Sequence, residues 1–430
     1  MKAGAASAEG AGIWGVGARA STLAFVLAAA LILRLVWAGL VPVEPVSDSN
    51  AYDVFARTLA AHGVFGWNQN EPFAFWPPGT SLVYAALYRA FGVNYGPIVV
   101  LNLALSLVLV VLAMRVANRH YGHRCALFAG WTLAVWPTLI MFTTVLASEL
   151  LFIVLCTAAL DAWTGARPGS ALGGALAGAL LGAAALVRPV ALALPAVFAI
   201  GTMFELGWSG ARLVAQTKLA VAAALAMACV VAPWTLRNYQ LYDDLVLIST
   251  NGGTTLWMGN APGTTGEHMD PPAWAQQLRD NEQNKVLGAL ARKYIADDPA
   301  GFVVRSVRKL IWLYNHESIG VAWNEAGLSH RYGTSVLRPL KLFTNLTWAL
   351  IALAAMWGAV VLIGRRGLWR TLAGSTVLSI AFYSFVHSVV VSQDRYHLEF
   401  AVQTAILAGA ALAMGRVRPA RGTAGRRASG

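Results

Sequence analysis

"STLAFVLAAALILRLVWAGL" (residues 21–40) runs directly into "VPVEPVSDSNAYDVFARTLAAHG" (41–63). The first stretch is apolar over the length a membrane-crossing helix needs, about 20 residues. The second turns at once to Asp48, Tyr52, Asp53 and Arg57. A loop that only joins two spans needs no such group. The chain around them has 430 residues, 57% of them hydrophobic and 12% charged. A soluble domain carries about a quarter charged residues. So much apolar surface does not fit one water-soluble core, and the composition predicts an all-α polytopic membrane protein. Residues 1–19 are small and weakly basic. The run after them is long for a signal peptide and is read as a retained first span.

Further apolar runs fall near 96–117, 124–143, 147–163, 170–187, 190–207, 213–232, 343–363, 371–391 and 397–415, giving about ten spans with the first. With the N-terminus inside, the short inner loops hold Arg115, Arg119, Arg124, Arg167, Arg212, Lys218, Arg365, Arg366 and Arg370. Arg416, Arg418, Arg421, Arg426 and Arg427 fill a tail, 416–430, that reads as a disordered cytoplasmic end. This fits the positive-inside rule, and it leaves Arg188 and Arg395 conspicuous in short outer turns. The net charge of +12 then reflects membrane lipid headgroups. No nucleic-acid-binding motif accompanies it. Cys125, Cys156 and Cys229 lie far apart in apolar segments and suggest neither disulfides nor a metal site.

These spans divide the chain into a membrane module 1–232 with a long outer loop 42–95, an outer lobe 233–342, helices 343–415 and the tail. In the first loop, Tyr52, Phe55 and Leu59 share a helical face ending before Gly63. "WPPGTSLVYAALYRAFG" (76–92) opens a second short helix, too apolar for water and too short to span, as interfacial helices are. In the lobe, "LVLIST" and "TTLWMG" flanking "NGG" read as a hairpin, which makes the lobe mixed. Segments 273–296 and 299–314 read as helices. Gly174, Gly178 and Gly182 recur every four residues, the spacing of close helix packing. Arg34, inside the first span, is expected to pair with a carboxylate or to snorkel.

Asp48 sits where the first span meets the outer surface, either as an acid at a helix start or as a functional carboxylate. Asp53, five residues on, lies roughly 140° around a helix from it, so the two do not easily share one site. Glu149 stands at a membrane-embedded helix end, where an acid is costly unless paired or used. His62, Glu71 and His268 lack metal-ligand spacing. No P-loop or Asp-x-Asp appears, which argues against ATP-driven transport and nucleotide sugars.

The first span followed by "SDSNAYDVFARTLAAHG" and "WPPGTSLVYAALYRAFG" resembles the membrane-embedded GT-C glycosyltransferases, nearest the branch of protein O-mannosyltransferases and the lipid A aminoarabinose transferase. "VLASELLFIVL" (145–155), "ALVRPVALALP" (185–195), "APWTLRNYQLYDDLVLISTNGGTTLWMGNAPGTTG" (232–266) and "SQDRYHLEF" (392–400) resemble the same branch in the same order. The resemblance implies GT-C architecture and transfer of a sugar, with inversion, from a polyprenyl-phosphate donor to a protein, lipid or polysaccharide acceptor. It implies Asp48 as catalytic carboxylate, its pKa raised by interfacial burial. Glu149 is then its partner, an acceptor contact or a metal ligand, or else forms a salt bridge to Arg188 or Arg34. Arg188, Arg237 and Arg395 would hold the donor phosphate, supported by Tyr52, Asp53 and Tyr396. Some relatives use a divalent metal and others do not, so that question stays open. The Ala-, Gly- and Arg-rich composition points to a bacterial cytoplasmic membrane, with the site on its extracytoplasmic face. A transporter or lipid flippase is the rival reading; it would place polar groups near mid-membrane.

Overall fold

The computed structural model describes residues 18–414; the basic tail and the residues before 18 lie outside that range. The protein is a multi-pass helical membrane protein. Helix α1 (Ala18–Leu40) leads into α2 (Asp48–His62), strands β1 (Gly66–Asn68) and β2 (Glu71–Pro72), and α3 (Gly79–Phe91). The bundle continues through α4 (Gly96–Tyr121), α5 (His123–Val135), α6 (Pro137–Met141), α7 (Glu149–Gly165), α8 (Ala171–Val187), α9 (Leu194–Leu206) and α10 (Gly210–Tyr242). Short helices follow: α11 (Gly252–Met258), α12 (Ala273–Gln276), α13 (Asp280–Asp297), α14 (Pro299–Tyr314), α15 (Ile319–Ala322) and α16 (Glu325–Tyr332). The chain then returns through α17 (Leu337–Arg366), α18 (Leu368–Leu372), α19 (Ser375–Val389), a 3-10 turn (Asp394–Phe400) and α20 (Ala401–Met414).

All ten apolar runs are helical. Among the described residues, 6 helices are long and apolar enough to cross a membrane, or 7 if the pair α5–α6, bent by 56°, is one span. The helices α8 and α19 are shorter. The helix that closes the described chain is its centre: 83% of the apolar window spanning Asp394–Met414 is buried, against 17% for α1 and for α10. Gly409 lets α20 meet α5, since a Cβ there would stand 2.6 Å from the Cys125 carbonyl oxygen. The glycine row of α8 does the same against α10: a Cβ at Gly178 would lie 2.1 Å from the Ala223 oxygen.

The first loop follows its sequence pattern. Gly63, at φ 72, takes the left-handed position that ends α2, and its N–H donates to the Leu59 carbonyl at 3.0 Å. The lobe departs from expectation. Segment 245–250 is not a strand. Trp234 Nε1 donates to the Ile248 carbonyl (2.8 Å), and Asn238 Nδ2 donates to those of Val246 and Ile248 (3.1 Å each). Side chains of α10, which runs on through Pro233, thus take the place of a strand partner. "TTLWM" lies in helix α11. Gly253 serves packing: a Cβ there would stand 2.0 Å from the Asn284 carbonyl oxygen of α13. Among the described residues the two strands are β1 and β2, antiparallel, in the first loop, so segment 233–342 is helical and not mixed.

Arg34 neither snorkels nor meets a carboxylate. It is 1% exposed. Its guanidinium donates to the carbonyls of Ala134 (2.9 Å), Leu133 (3.1 Å) and Ala30 (3.1 Å). Pro137 breaks the helix just beyond Val135, which leaves carbonyls of the last turn of α5 without intrahelical donors. Arg34 supplies them.

Candidate active site

The start of α2, the start of α7, the end of α8 and the 3-10 turn 394–400 are brought together through Asp48, Glu149, Arg188 and Arg395. Ser47, just before α2, has φ 52 and ψ −129. Such a conformation costs a non-glycine residue about 1–3 kcal/mol. It sets the entry of α2 and places Asp48 in the first helical turn.

Asp48 Oδ2 accepts from Arg395 Nη1 at 2.7 Å, and Oδ1 accepts from Trp76 Nε1 at 3.2 Å. Arg395 Nη1 also stands 4.0 Å from Glu149 Oε1. Glu149, 1% exposed, opens α7 and accepts from Arg188 Nη2. Arg188 follows α8; its Nη1 donates to Glu399 Oε1 at 2.6 Å and its Nε to Ser148 Oγ at 3.0 Å. Glu399 Oε2 pairs with His387 Nε2 at 3.2 Å. The Tyr396 ring stacks on His387 at 4.2 Å and lies under both guanidinium groups, at 5.1 Å from Arg395 and 5.6 Å from Arg188. Trp323 faces Arg395 from another side at 4.8 Å. Tyr52, 6% exposed, lies within the field of Asp48, Arg188 and Glu149; burial, then the Asp48 charge, keeps its phenol protonated.

The cluster thus sets carboxylates 48, 149 and 399 against two guanidinium groups. Burial pushes the Asp48 carboxyl up, but the ion pair with Arg395 and the Trp76 N–H outweigh it and hold it below the usual carboxylate range. This reverses the sequence expectation of a raised pKa, because the counter-ion touches the carboxylate directly. Arg395 Nε is buried with no acceptor among the described residues. No three His, Cys, Asp or Glu side chains among the described residues converge as a metal site would need.

Sequence reasoning singled out Asp48, Glu149, Arg188, Arg395, Tyr52 and Tyr396, and these six meet here. Asp53 and Arg237 stand in other contact sets. Asp53 accepts from Tyr88 OH, Arg57 Nε (2.9 Å) and Tyr95 OH (3.1 Å), tying α2 to α3 and to the start of α4. Arg237 donates to the carbonyls of Phe73 (3.0 Å) and Phe65 (3.3 Å) and lies over Trp234. Its hydrogen bonds brace the first loop and reach none of the clustered carboxylates. Glu399, His387, Trp76 and Ser148 were missed as site residues. The available signal was an acid and a histidine inside apolar runs.

The turn 394–400 is used on every side. Asp394 Oδ2 accepts the Ser318 and Ile319 N–H groups at 2.7 and 3.0 Å. His397 pairs with Glu317 at 2.8 Å, both fully buried, and stacks on Trp348 at 4.0 Å. Glu317 also accepts from Trp136 Nε1 at 2.9 Å and Thr138 Oγ1 at 2.5 Å. Arg395 is therefore presented from a backbone held at both flanks.

No protein-family model matches the chain, and no curated protein matches it in sequence. Solved structures do match in fold. The archaeal oligosaccharyltransferase AglB from Archaeoglobus fulgidus, in complex with an inhibitory peptide and a dolichol-phosphate, superposes with TM-score 0.54 at 10% identity, over 91% of this chain and 50% of that one. The apo form of the Archaeoglobus fulgidus oligosaccharyltransferase gives TM-score 0.54 at 12% identity over 91% and 50%. ArnT from Cupriavidus metallidurans, bound to undecaprenyl phosphate, gives TM-score 0.46 at 16% identity over 92% and 78%. The chain spans about half the length of the archaeal oligosaccharyltransferases it matches.

Proposed function

From the GT-C fold of this chain and the cluster of carboxylates and guanidinium groups, we propose that it is an inverting glycosyltransferase. It moves a hexosyl or pentosyl unit from a polyprenyl-phosphate carrier to a hydroxyl acceptor. The reading places it in a bacterial cytoplasmic membrane with the cluster on the extracytoplasmic face, where the positive-inside pattern of the loops points.

The observation that carries the reading is the Asp48–Arg395 pair, 2.7 Å apart, next to a second guanidinium, that of Arg188. A carboxylate is the base such a displacement needs. Guanidinium groups hold a phosphate and offset the charge left when the C1–oxygen bond breaks. In the resting protein the two parts neutralise each other. The donor phosphate takes Arg395, whose buried Nε–H has no acceptor among the described residues, and draws it from Asp48. The freed carboxylate then accepts the acceptor's proton as its oxygen attacks C1, and polyprenyl phosphate departs. Arg188 stays with Glu149 and Glu399 and turns its charge toward the leaving phosphate. Arg237, held by loop carbonyls, acts as a brace in this scheme.

A pH dependence follows. Arg395 holds the Asp48 pKa down in the free protein, and drawing that cation away leaves burial to raise it. The acid limb of kcat reports the complex and that of kcat/KM the free protein. The kcat limb is therefore expected at higher pH. Coincident limbs would remove the exchange of partners from the mechanism.

The reading as a whole is tested by mass spectrometry of envelope glycans in a deletion strain and its complement. A sugar missing from one glycan, lipid or protein and restored by the complement is the expected result; an unchanged profile counts against transfer.

A further inference from the structure

The first loop holds a second concavity, built by the β1–β2 turn against the C-terminal half of α2. Its volume is about 560 Å³, within the range of small-molecule sites, about 300–1,000 Å³. Thr58 and His62 from α2 and the turn residues Trp67, Asn68, Gln69, Asn70 and Glu71 line it. The turn is shaped by its own bonds. Asn68 Nδ2 donates to Glu71 Oε2 at 2.7 Å, and the Asn70 N–H donates to Asn68 Oδ1 at 2.9 Å. Trp67 is 40% exposed, although an indole of that size gains most by burial. Its ring is fixed edge-on by Phe55 at 4.9 Å and Trp76 at 5.6 Å. Trp76 is the residue that donates to Asp48. The cleft therefore lies one indole away from the candidate base.

The lining selects its occupant by chemistry. It contains no Lys or Arg; its ionisable members are the imidazole of His62 and the carboxylate of Glu71, so no permanent cation is there to hold a phosphate or acidic peptide. It contains no aliphatic residue larger than threonine, so a lipid tail finds no apolar wall. It offers three neutral amides, a hydroxyl, an imidazole, one carboxylate and a half-exposed aromatic surface. Amides and hydroxyls both donate and accept, and an aromatic surface takes an apolar C–H face while the rim stays wet. A neutral sugar presents just that combination.

We propose that this cleft is an acceptor subsite for a neutral glycan, one sugar ring stacked on Trp67 and its hydroxyls on Asn68, Gln69 and Asn70. Its place in a reaction rests on the transferase reading above; its capacity to bind rests on the cleft alone. The acceptor is then a polysaccharide, or a glycan already carried by a lipid or protein.

The test uses the full chain in nanodiscs and saturation-transfer NMR with neutral linear hexasaccharides of glucose, mannose and galactose. At least one is expected to bind the wild type. Trp67→Ala should weaken that binding about tenfold, and Trp67→Phe should recover part of it. The double variant Gln69→Ala/Asn70→Ala, confined to the turn, should weaken it about threefold. Undecaprenyl phosphate binding, followed by native mass spectrometry, should stay unchanged in every variant, which also reports intact folding. Binding by no hexasaccharide, or equal binding by wild type and Trp67→Ala, overturns the subsite. Glycan binding with an unchanged envelope profile in the deletion strain would keep the subsite and remove the transferase. Sugar transfer without hexasaccharide binding would do the reverse.

Discussion

Asp48→Asn is expected to slow sugar transfer by about 10²–10⁴, the usual contribution of a positioned base, in a protein that still folds and still binds polyprenyl phosphate. Asparagine matches aspartate in shape and keeps an acceptor for Trp76 Nε1, which donates to Oδ1 at 3.2 Å. It loses the proton affinity and the charge. Arg395, relieved of its partner at 2.7 Å, is then free for an anion, so the variant should bind undecaprenyl phosphate at least as tightly as the wild type. That pairing of lost transfer with undiminished lipid binding separates a base from a structural carboxylate. A purely structural role would lower the thermal midpoint and lipid binding together. Transfer by Asp48→Asn within a few-fold of wild type would move the base elsewhere.

Arg188→Leu is expected to have the largest effect on stability. Its guanidinium side chain is 13% exposed and bridges Glu149 and Glu399, themselves 1% and 2% exposed. Removing one member of a buried pair costs about 3–5 kcal/mol, because the partner keeps a charge with nothing to meet it. Here two carboxylates lose that cation, and His387 remains on Glu399 alone. Thermal unfolding in nanodiscs should show the loss directly. Adding Glu399→Gln to Arg188→Leu removes one stranded charge and should recover part of the midpoint. It should not recover transfer, because the cation facing the leaving phosphate stays absent. Full recovery of transfer in the double variant would reduce Arg188 to a structural tie.

Much of this site was legible in the chain because it breaks local rules. Arg188 and Arg395 stand in short turns that the charge pattern of the sequence assigns to the outer side, where arginine is disfavoured. Asp48 and Tyr52 follow a span without the spacer a plain loop would use. The short helices of the first loop were readable from apolar period, Gly63 and the Pro77–Pro78 pair. What stayed hidden is tertiary. Glu399 reaches Arg188 across 211 positions, and no local pattern marks that partnership. Asn238 and Trp234 supply donors to 245–250 from a helix whose end no apolar period fixes, so a β-rich segment stays out of any sheet. Gly252 and Gly253 read as a turn, yet Gly253 serves where two backbones nearly touch, and only the approach of α13 tells the two uses apart. The depressed Asp48 pKa has the same origin: burial is readable at an interface, the neighbouring cation is not.

Arg34 carries a consequence for how the chain is made. Two of its three acceptors, the carbonyls of Leu133 and Ala134, come 99 and 100 residues later. At about 5–20 residues per second, a ribosome takes roughly 5–20 s to supply them. During that interval the leading segment holds a cation that costs about 2.5–3.5 kcal/mol at the bilayer centre. It therefore waits at the translocon or near a headgroup layer, and settles to its final depth only when the kinked fifth helix arrives. Biogenesis of this protein has an order written into it by one guanidinium.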